Sequence, residues 1–343
     1  MKKQIHGGDV YRYKDALDFS SNMNPLGTPE SVIRAAGESM EKICNYPDIQ
    51  QEELIRGLSA YEQVPAEWII CGNGAAEVIF TLVHAVKPKN ALLLAPTFAE
   101  YEQALEAENC SLQFHMLKEE QGFLPDESLL DQITEELDML FLCSPNNPTG
   151  VLIPPVLMDR ILEKCTETGT LLVIDECFQD FIPKPESYTR KGDLENHPNL
   201  FLLKAFTKRY AMAGIRLGYG LTSDRELMER MHRSVQPWNV SIPAQAAGVA
   251  ALKETEYLEE GRQIVFREQV FLKEGLKTLG FRVYDSSANY ILFRGPKGLV
   301  EKAWKSGILI RDCSNYRGLE EGYYRVAVRT HELNEKLLEA LAD

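Results

Sequence analysis

The chain has 343 residues, of which 44% are hydrophobic and 26% charged, as in an ordinary folded protein. It carries 37 Lys and Arg against 51 Asp and Glu, which gives a formal net charge of -14. A nucleic-acid-binding protein needs a dense basic surface to neutralise phosphates, and no such run is present, so this class is not expected. An anionic ligand would need positive side chains placed close to its site.

The chain also lacks the usual signals for export, membrane insertion or metal binding. The first residues contain no apolar segment of signal-peptide length, and the most apolar stretch, residues 68–86, carries Glu77 and a Gly-Asn-Gly break that make it a poor membrane span. The seven cysteines are scattered and form no CxxC pair, and no histidines stand at ligand spacing. We therefore expect a cytoplasmic protein with reduced cysteines and no metal site.

The order of predicted elements divides the chain into three parts. Residues 1–40 are rich in loops and predict an N-terminal arm that lies against a smaller domain. Residues 41–235 alternate helical patterns with short apolar runs, namely NALLLAP, DMLFLCSP, TLLVIDE and LFLLKAF. This alternation predicts an α/β fold with a mainly parallel sheet, whose ligands bind beyond the carboxyl ends of the strands. Longer helical patterns and short strands in residues 236–343 predict the smaller α+β domain.

Two of the segments next to predicted strands could contact a flat, phosphorylated ligand. Gly74, Ala75 and Ala76 stand where a helix begins, so their backbone N–H groups could bind a phosphate. The alternative is a plain turn and helix cap. Phe98 follows the next strand and could stack on a planar ring, although an ordinary core position is the commoner explanation for a phenylalanine there taken alone.

The next two strands end in polar residues. Asn147 lies in SPNNPTG, which is turn chemistry but could also present an amide to a cofactor oxygen. Asp175 ends TLLVID and has three interpretations. A nucleotide-hydrolase metal site would require a GxxxxGK[ST] loop, which the chain lacks. The others are a surface acid, or a carboxylate paired with the pyridinium nitrogen of pyridoxal phosphate.

The segment FTKRYAMAGIRLGYG completes the series. Lys208 could bind the aldehyde of that cofactor covalently. The small residues after it form a turn that could bring Arg216 to the cofactor's phosphate as a bidentate clamp. Each signal is ambiguous alone, but their order on successive strand ends is specific.

The series resembles the fold-type-I pyridoxal phosphate enzymes of the class I and II aminotransferase family, in the branch of the histidinol-phosphate aminotransferases, over essentially the whole chain. Within that branch, several segments are most similar to those of enzymes that decarboxylate L-threonine O-3-phosphate in cobalamin biosynthesis: HGGD, DFSSNMNPLG, NYPD, GNGAAE, PTFAEY, LCSPNNPTG, IDECFQDF, QPWNVS, ILIRDCSNYRGL and YYRVAVR. The resemblance implies a pyridoxal phosphate cofactor, a phosphorylated amino acid as substrate, and a homodimer with shared sites.

The resemblance also implies residue roles, with Lys208 and Asp175 as the catalytic pair. The cofactor would be bound by Gly74, Ala75, Ala76, Phe98, Asn147, Asp175, Thr207, Lys208 and Arg216, and by Tyr46 of a neighbouring subunit. The substrate would be bound by His6, Asn24, Arg311 and Arg325, the last through the α-carboxylate. His6 could instead be a loose terminal residue, and Arg311 a structural ion-pair partner.

Two departures from the family pattern bear on activity. Many relatives have Ser or Thr three residues before the lysine; this chain has Ala205, and Thr207 could supply the missing hydroxyl. Aminotransferases usually place Tyr three residues after the ring aspartate, whereas this chain has Phe178, which favours decarboxylation. Transamination of histidinol phosphate, decarboxylation of serine phosphate and a non-catalytic regulator remain as alternatives.

Overall fold

The computed structural model describes residues 6–342, so the first five residues of the predicted arm lie outside the described part. The strands, in chain order, are β1 Leu17–Asp18, β2 Ile69–Gly72, β3 Asn90–Ala95, β4 Ser111–Met116, β5 Met139–Cys143, β6 Leu171–Asp175, β7 Leu200–Ala205, β8 Gly218–Leu221, β9 Arg282–Val283, β10 Tyr290–Arg294, β11 Ile308–Leu309, β12 Arg311–Asp312 and β13 Tyr323–Ala327. The helices are α1 Glu30–Ser39, α2 Glu52–Glu62, α3 Ala75–Val86, α4 Ala99–Ala107, α5 Pro155–Thr168, α6 Phe206–Arg209, α7 Arg225–Ser234, α8 Ile242–Ala251, α9 Thr255–Thr278, α10 Leu299–Lys305 and α11 His331–Ala342.

A seven-stranded sheet forms the larger part of the molecule. Its strand order is β2-β8-β7-β6-β5-β3-β4. The pairs among β3 to β7 are parallel, and β8 runs antiparallel to both of its neighbours. Helices cover both faces of this sheet. Successive side chains of a strand point to opposite faces, so in β5 Leu140 belongs to the same core as Ile161 of α5, while Phe141 belongs to the other core with Tyr101 of α4. The expected α/β fold with a mainly parallel sheet is confirmed.

A smaller four-stranded antiparallel sheet, in the order β12-β13-β10-β9, lies in the C-terminal part. Its own core includes Leu272 of α9, Ala303 of α10 and Leu337 of α11. The N-terminal segment joins this part, since β1 pairs in parallel with β11. Among residues 6–342, none of the helices combines the length and apolarity needed to cross a membrane.

The cores do not follow the predicted boundaries residue by residue. Helix α8 begins after residue 235, yet its buried Ala247 belongs to the same core as Leu140 of the large sheet, and α8 packs against α1 of the N-terminal segment. The division into residues 1–40, 41–235 and 236–343 therefore stays a prediction.

The strand ends bring the predicted site residues to one edge of the large sheet. Strands β3, β5, β6 and β7 run parallel, so the loops that follow them emerge on the same side. Phe98 follows β3, Asn147 follows β5, Asp175 ends β6, and Lys208 lies in the short helix after β7.

Candidate active site

A cavity of about 240 Å³ lies at this edge of the large sheet, under the C-terminal part and the N-terminal segment. From the large sheet and its loops it is lined by Ala75, Ala76, Phe98, Cys143, Asn147, Asp175, Phe178, Thr207, Lys208 and Arg216, among others. From the C-terminal and N-terminal parts it is lined by His6, Gly7, Ser20, Ser21, Asn22, Arg311, Asn315, Tyr316 and Arg325. Eleven residues that the sequence nominated for cofactor or substrate thus meet in one cavity.

Lys208 is held in this cavity as a half-buried amine. Its Nζ lies 5.8 Å from the ring centroid of Phe178, and no carboxylate among residues 6–342 forms an ion pair with it. Burial, together with the nearby charge of Arg325, lowers the pKa of Lys208 to about 8. About a tenth of the amine is therefore in the neutral, nucleophilic form at pH 7, far more than for an ordinary lysine.

Asp175 is a buried carboxylate that only neutral groups contact. Its Oδ2 accepts a hydrogen bond of 2.5 Å from the Tyr101 hydroxyl, and its Oδ1 accepts one of 2.8 Å from the Cys177 N–H. Burial raises the pKa of Asp175, against the effect of these hydrogen bonds. Because a buried carboxylate is stabilised by a cation, and none among the described residues pairs with it, a protonated ring nitrogen fits this position.

The N-terminus of α3 and the turn before β8 form a cradle for an anion. Gly74 has φ +85°, and a Cβ built there would lie 2.3 Å from Nη2 of Arg216, so only glycine lets the guanidinium approach the start of the helix. The Gly74 N–H is already bonded to the Gly72 oxygen at 2.8 Å. The N–H groups of Ala75 and Ala76, which have no partner within the helix, are available as donors, and the contact of Gly74 with phosphate stays a prediction.

The cradle is suited to bind a phosphate, because its positive groups are not neutralised by any carboxylate among the described residues. Arg216 donates only to the Ala213 carbonyl, at 3.2 Å, and forms no ion pair with the described carboxylates. The guanidinium and a helix N-terminus both attract negative charge. The residues present therefore fit the phosphate of pyridoxal phosphate.

Asn147 and Arg325 form one polar group on the opposite wall. Arg325 donates to the Asn147 Oδ1 and to the Ser20 carbonyl, the latter at 2.8 Å, while its buried Nε has no hydrogen-bond partner. The Tyr316 hydroxyl also donates to Asn147 Oδ1, at 3.3 Å. A buried guanidinium nitrogen without an acceptor indicates that a ligand oxygen belongs beside it.

Arg311 and His6 also line the cavity. Arg311 is 5% exposed and donates to the Asp312 carbonyl at 2.5 Å and to Asn315 Oδ1 at 2.8 Å. It forms no ion pair among residues 6–342, so the structural ion pair considered as an alternative is absent from that part. His6 Nδ1 lies 3.2 Å from Oε1 of Glu100, which ties the first described residue to helix α4.

Three nominated residues do not line the cavity, namely Gly74, described above, Asn24 and Tyr46. Asn24 is 1% exposed, and its Nδ2 donates to the Arg209 carbonyl at 2.9 Å while its Oδ1 accepts from the Leu26 N–H at 3.1 Å. It fixes the backbone beside Lys208 instead of facing a ligand. Tyr46 is 76% exposed and stacks on Trp238 with ring centroids 4.5 Å apart, away from the cavity of its own chain.

Comparison with known proteins places the chain in a family. Residues 14–341 match the family model "Aminotransferase class I and II". The chain belongs to this family, whose members depend on pyridoxal phosphate.

Particular relatives share most of the sequence and fold. The chain is 40% identical to "Threonine-phosphate decarboxylase" of Salmonella typhimurium, over 98% of this chain and 95% of that protein. Among solved structures, a histidinol-phosphate aminotransferase from Clostridium acetobutylicum matches with a TM-score of 0.88 and 32% identity, over 95% of this chain and 98% of that one. An L-threonine-O-3-phosphate decarboxylase from Porphyromonas gingivalis matches with a TM-score of 0.84 and 26% identity, over 94% and 97%.

Three side chains of the site escaped the sequence reasoning. Tyr101 donates to Asp175 across 74 positions of sequence, and Tyr316 reaches Asn147 across 169. Glu100 stands in the same segment as Phe98, but an acid is not the signal that a search for anion-binding groups selects. The signal for these three residues in the sequence is their position in PTFAEY and CSNYRG, two segments that carry the family resemblance.

Proposed function

We propose that this chain is a pyridoxal-phosphate-dependent decarboxylase that acts on L-threonine O-3-phosphate, releasing CO2 and leaving (R)-1-aminopropan-2-ol O-phosphate. The observation that carries the proposal is that Arg216, Arg311 and Arg325 line one cavity, and none of them pairs with a described carboxylate. A cofactor phosphate, a substrate phosphate and a substrate carboxylate would use all three. The overall charge of -14 makes such local positive groups necessary for an anionic substrate.

The cofactor assignment follows from the fit of the residues already described. Pyridoxal phosphate, when bound, supplies a cationic ring that accepts the electrons released when a bond at the substrate's Cα breaks. The Asp175 carboxylate would keep the ring nitrogen protonated, and Ala75, Ala76 and Arg216 would hold the phosphate. The Thr207 hydroxyl would also contact the phosphate, and Phe98 and Asn147 would complete the binding of the ring.

The substrate residues would decide which bond breaks. Arg325 would hold the α-carboxylate, while Arg311 and His6 would hold the phosphate ester. Binding at both ends fixes rotation about Cα, so the bond to the carboxylate can be set perpendicular to the ring plane. That bond then breaks with loss of CO2, and the Lys208 Nζ returns a proton to Cα.

Amino transfer from histidinol phosphate is the second candidate, and the similarity to the aminotransferase of Clostridium acetobutylicum favours it. The two reactions differ in which Cα bond is set perpendicular. Phe178 favours decarboxylation, because it cannot offer the hydroxyl that aminotransferases usually place at this position.

The test is a comparison of two reactions on three substrates. Holoenzyme is incubated with L-threonine O-3-phosphate, L-serine O-phosphate and histidinol phosphate, and CO2 release is measured beside 2-oxoglutarate-dependent amino transfer. We expect CO2 from threonine phosphate. Transfer without CO2 would replace the decarboxylase with the aminotransferase. The serine compound lacks one methyl group, a difference worth about 1–3 kcal/mol in an apolar pocket, so about 10- to 200-fold preference for threonine phosphate is expected.

We also propose a cytoplasmic homodimer in which Tyr46 reaches the neighbouring subunit's cofactor phosphate. Its exposure and its distance from the cavity of its own chain support this arrangement. The hydroxyl would then have a partner only in the assembled protein.

A further inference from the structure

Glu100 is an acid inside a cavity whose other charged groups suit anions. It lies in the first turn of α4 and its side chain is 14% exposed. Oε1 lies 3.2 Å from His6 Nδ1, while Oε2 is buried and has no hydrogen-bond partner among the described residues. A buried carboxylate oxygen without a donor is costly, so its presence at this site calls for a function.

The groups that face Glu100 come from three parts of the chain. His6 approaches from the N-terminal segment, Lys208 from α6, and Arg311 and Tyr316 from β12 and the loop after it. The positive charge of Arg311 acts to lower the pKa of Glu100, but the two side chains form no ion pair within 4.0 Å. The Arg311 guanidinium donates instead to the Asp312 carbonyl and to Asn315 Oδ1. Burial raises the pKa of Glu100 in spite of these positive neighbours.

A phosphate ester bound by Arg311 and His6 would bring a second anion beside this carboxylate. Two negative groups in one buried site cannot both remain ionised without a large cost, and the usual result is that one of them takes a proton. Protonated Glu100 would present an O–H donor from the oxygen that now lacks a partner, and a phosphate oxygen is a strong acceptor.

Building on the proposed function, we propose that Glu100 binds the substrate's phosphate as the neutral acid, so that the phosphate ester enters together with one proton taken from solvent. The proton ends on Oε of Glu100 and is shared with a phosphate oxygen, while Arg311 and His6 carry the charge of the ester. The pair of Glu100 with His6 is given up when the phosphate arrives.

The test uses isopropyl phosphate, which carries the phosphate end of the substrate but has no amine or carboxylate and cannot react. Its binding to holoenzyme is measured calorimetrically at pH 8, in buffers of different ionisation enthalpy. At this pH a phosphate monoester is largely a dianion, because its second pKa is about 6. We expect about one proton to be taken up per ligand by the wild type. Glu100→Gln keeps a donor, so it should bind the ligand with no proton uptake.

A second readout is the pH dependence of affinity. Where Glu100 must gain a proton, the wild-type affinity should fall by up to about tenfold for each unit by which the pH rises, and Glu100→Gln should lose this dependence. Glu102→Gln is the matched control, because Glu102 lies on the same helix and pairs with Arg317 at the surface; it should behave as the wild type.

Three results would overturn the inference: ligand binding without proton uptake by the wild type, absence of ligand binding, or uptake that persists in Glu100→Gln, which would place the proton on a group other than Glu100. The proposed function is judged separately by CO2 release from threonine phosphate. Proton uptake without CO2 release would leave the phosphate site in place and remove only the decarboxylase.

Discussion

At the scale of single residues, Lys208 and Asp175 are shifted toward their neutral forms. Burial lowers the pKa of Lys208 to about 8 and raises the pKa of Asp175. Neither residue has an oppositely charged partner among residues 6–342. With a ligand that has an aldehyde and a cationic ring nitrogen, Lys208 would be the nucleophile toward the aldehyde and Asp175 the counter-ion of the nitrogen. The two pKa shifts therefore agree with one cofactor.

The pKa of Lys208 predicts how cofactor attachment depends on pH. Only the neutral amine attacks an aldehyde, so the rate at which apoprotein binds pyridoxal phosphate should rise about tenfold per pH unit below 8 and level off above it. Stopped-flow absorbance of the lysine-bound cofactor measures this rate. Arg325→Met removes a nearby positive charge, so the pKa of Lys208 should rise and the midpoint should move to higher pH. A rate independent of pH between 6 and 9 would contradict the assignment.

The hydrogen bond from Tyr101 gives a second prediction at this scale. Tyr101→Phe leaves Oδ2 of Asp175 without a donor, and we expect a loss of about 1–3 kcal/mol in the free energy of unfolding of the apoprotein. Denaturant titration measures it. Tyr11→Phe is the control, since Tyr11 is 86% exposed and should change little. Equal stability of the two variants would show that this hydrogen bond does not matter in the folded protein.

At the scale of elements, α3 and β8 approach closely because glycines stand at their contact. A Cβ on Gly218 of β8 would lie 2.3 Å from the Ala75 nitrogen, as close as a Cβ on Gly74 would lie to Arg216. The start of α3, strand β8 and the Arg216 guanidinium can therefore lie close together. The anion cradle is thus a property of three elements together.

Gly74→Ala should damage this cradle. The added Cβ meets Arg216, and loss of one charge-assisted hydrogen bond of about 1.5–3 kcal/mol corresponds to about ten- to hundredfold weaker binding. Equilibrium dialysis of pyridoxal phosphate measures the change.

Gly37→Ala in α1 is the matched control for that experiment. A Cβ there meets nothing within 4 Å, and alanine within a helix is favoured over glycine by about 0.5–1 kcal/mol. It should keep full cofactor affinity and unfold at a slightly higher temperature. Equal affinity of the two variants would show that the phosphate does not lie in the cradle.

At the scale of the whole molecule, the cavity needs three separate parts of the chain. The large sheet supplies Lys208 and Asp175, the antiparallel sheet supplies Arg311 and Arg325, and the N-terminal segment supplies His6. Strand β1 joins the N-terminal segment to β11 of the C-terminal part. The substrate end of the site therefore depends on how these parts fit together.

The proposed homodimer predicts that two inactive variants can complement each other. Lys208→Ala loses the cofactor lysine, and Tyr46→Ala should bind cofactor poorly through the neighbouring site. In a mixed dimer one site has both changes and the other has neither, so refolding an equal mixture should restore about a quarter of the wild-type sites. Decarboxylase activity at limiting cofactor measures this. Activity no higher than the average of the two pure variants would place Tyr46 outside any shared site.

The amino-acid pattern alone predicted the parts of the fold whose period is strong. The apolar runs of β3, β5, β6 and β7 lie where the sequence indicated. Strand β8 is a four-residue Gly-Tyr-Gly-Leu strand. Helix α8 is rich in small apolar residues. Strand β8 and helix α8 lack a distinct period, and packing against neighbours stabilises them.

The sequence by itself determined the family and the nature of the groups on the strand ends, because strand direction alone brings successive loops to one edge of a parallel sheet. Tertiary structure decided what each group faces. It turned Asn24 toward backbone, placed Tyr101 on Asp175 and Glu100 beside His6, and left Tyr46 outside the cavity. Such contacts join residues far apart in the chain, and their geometry depends on how helices and sheets pack, which no local pattern of residues records.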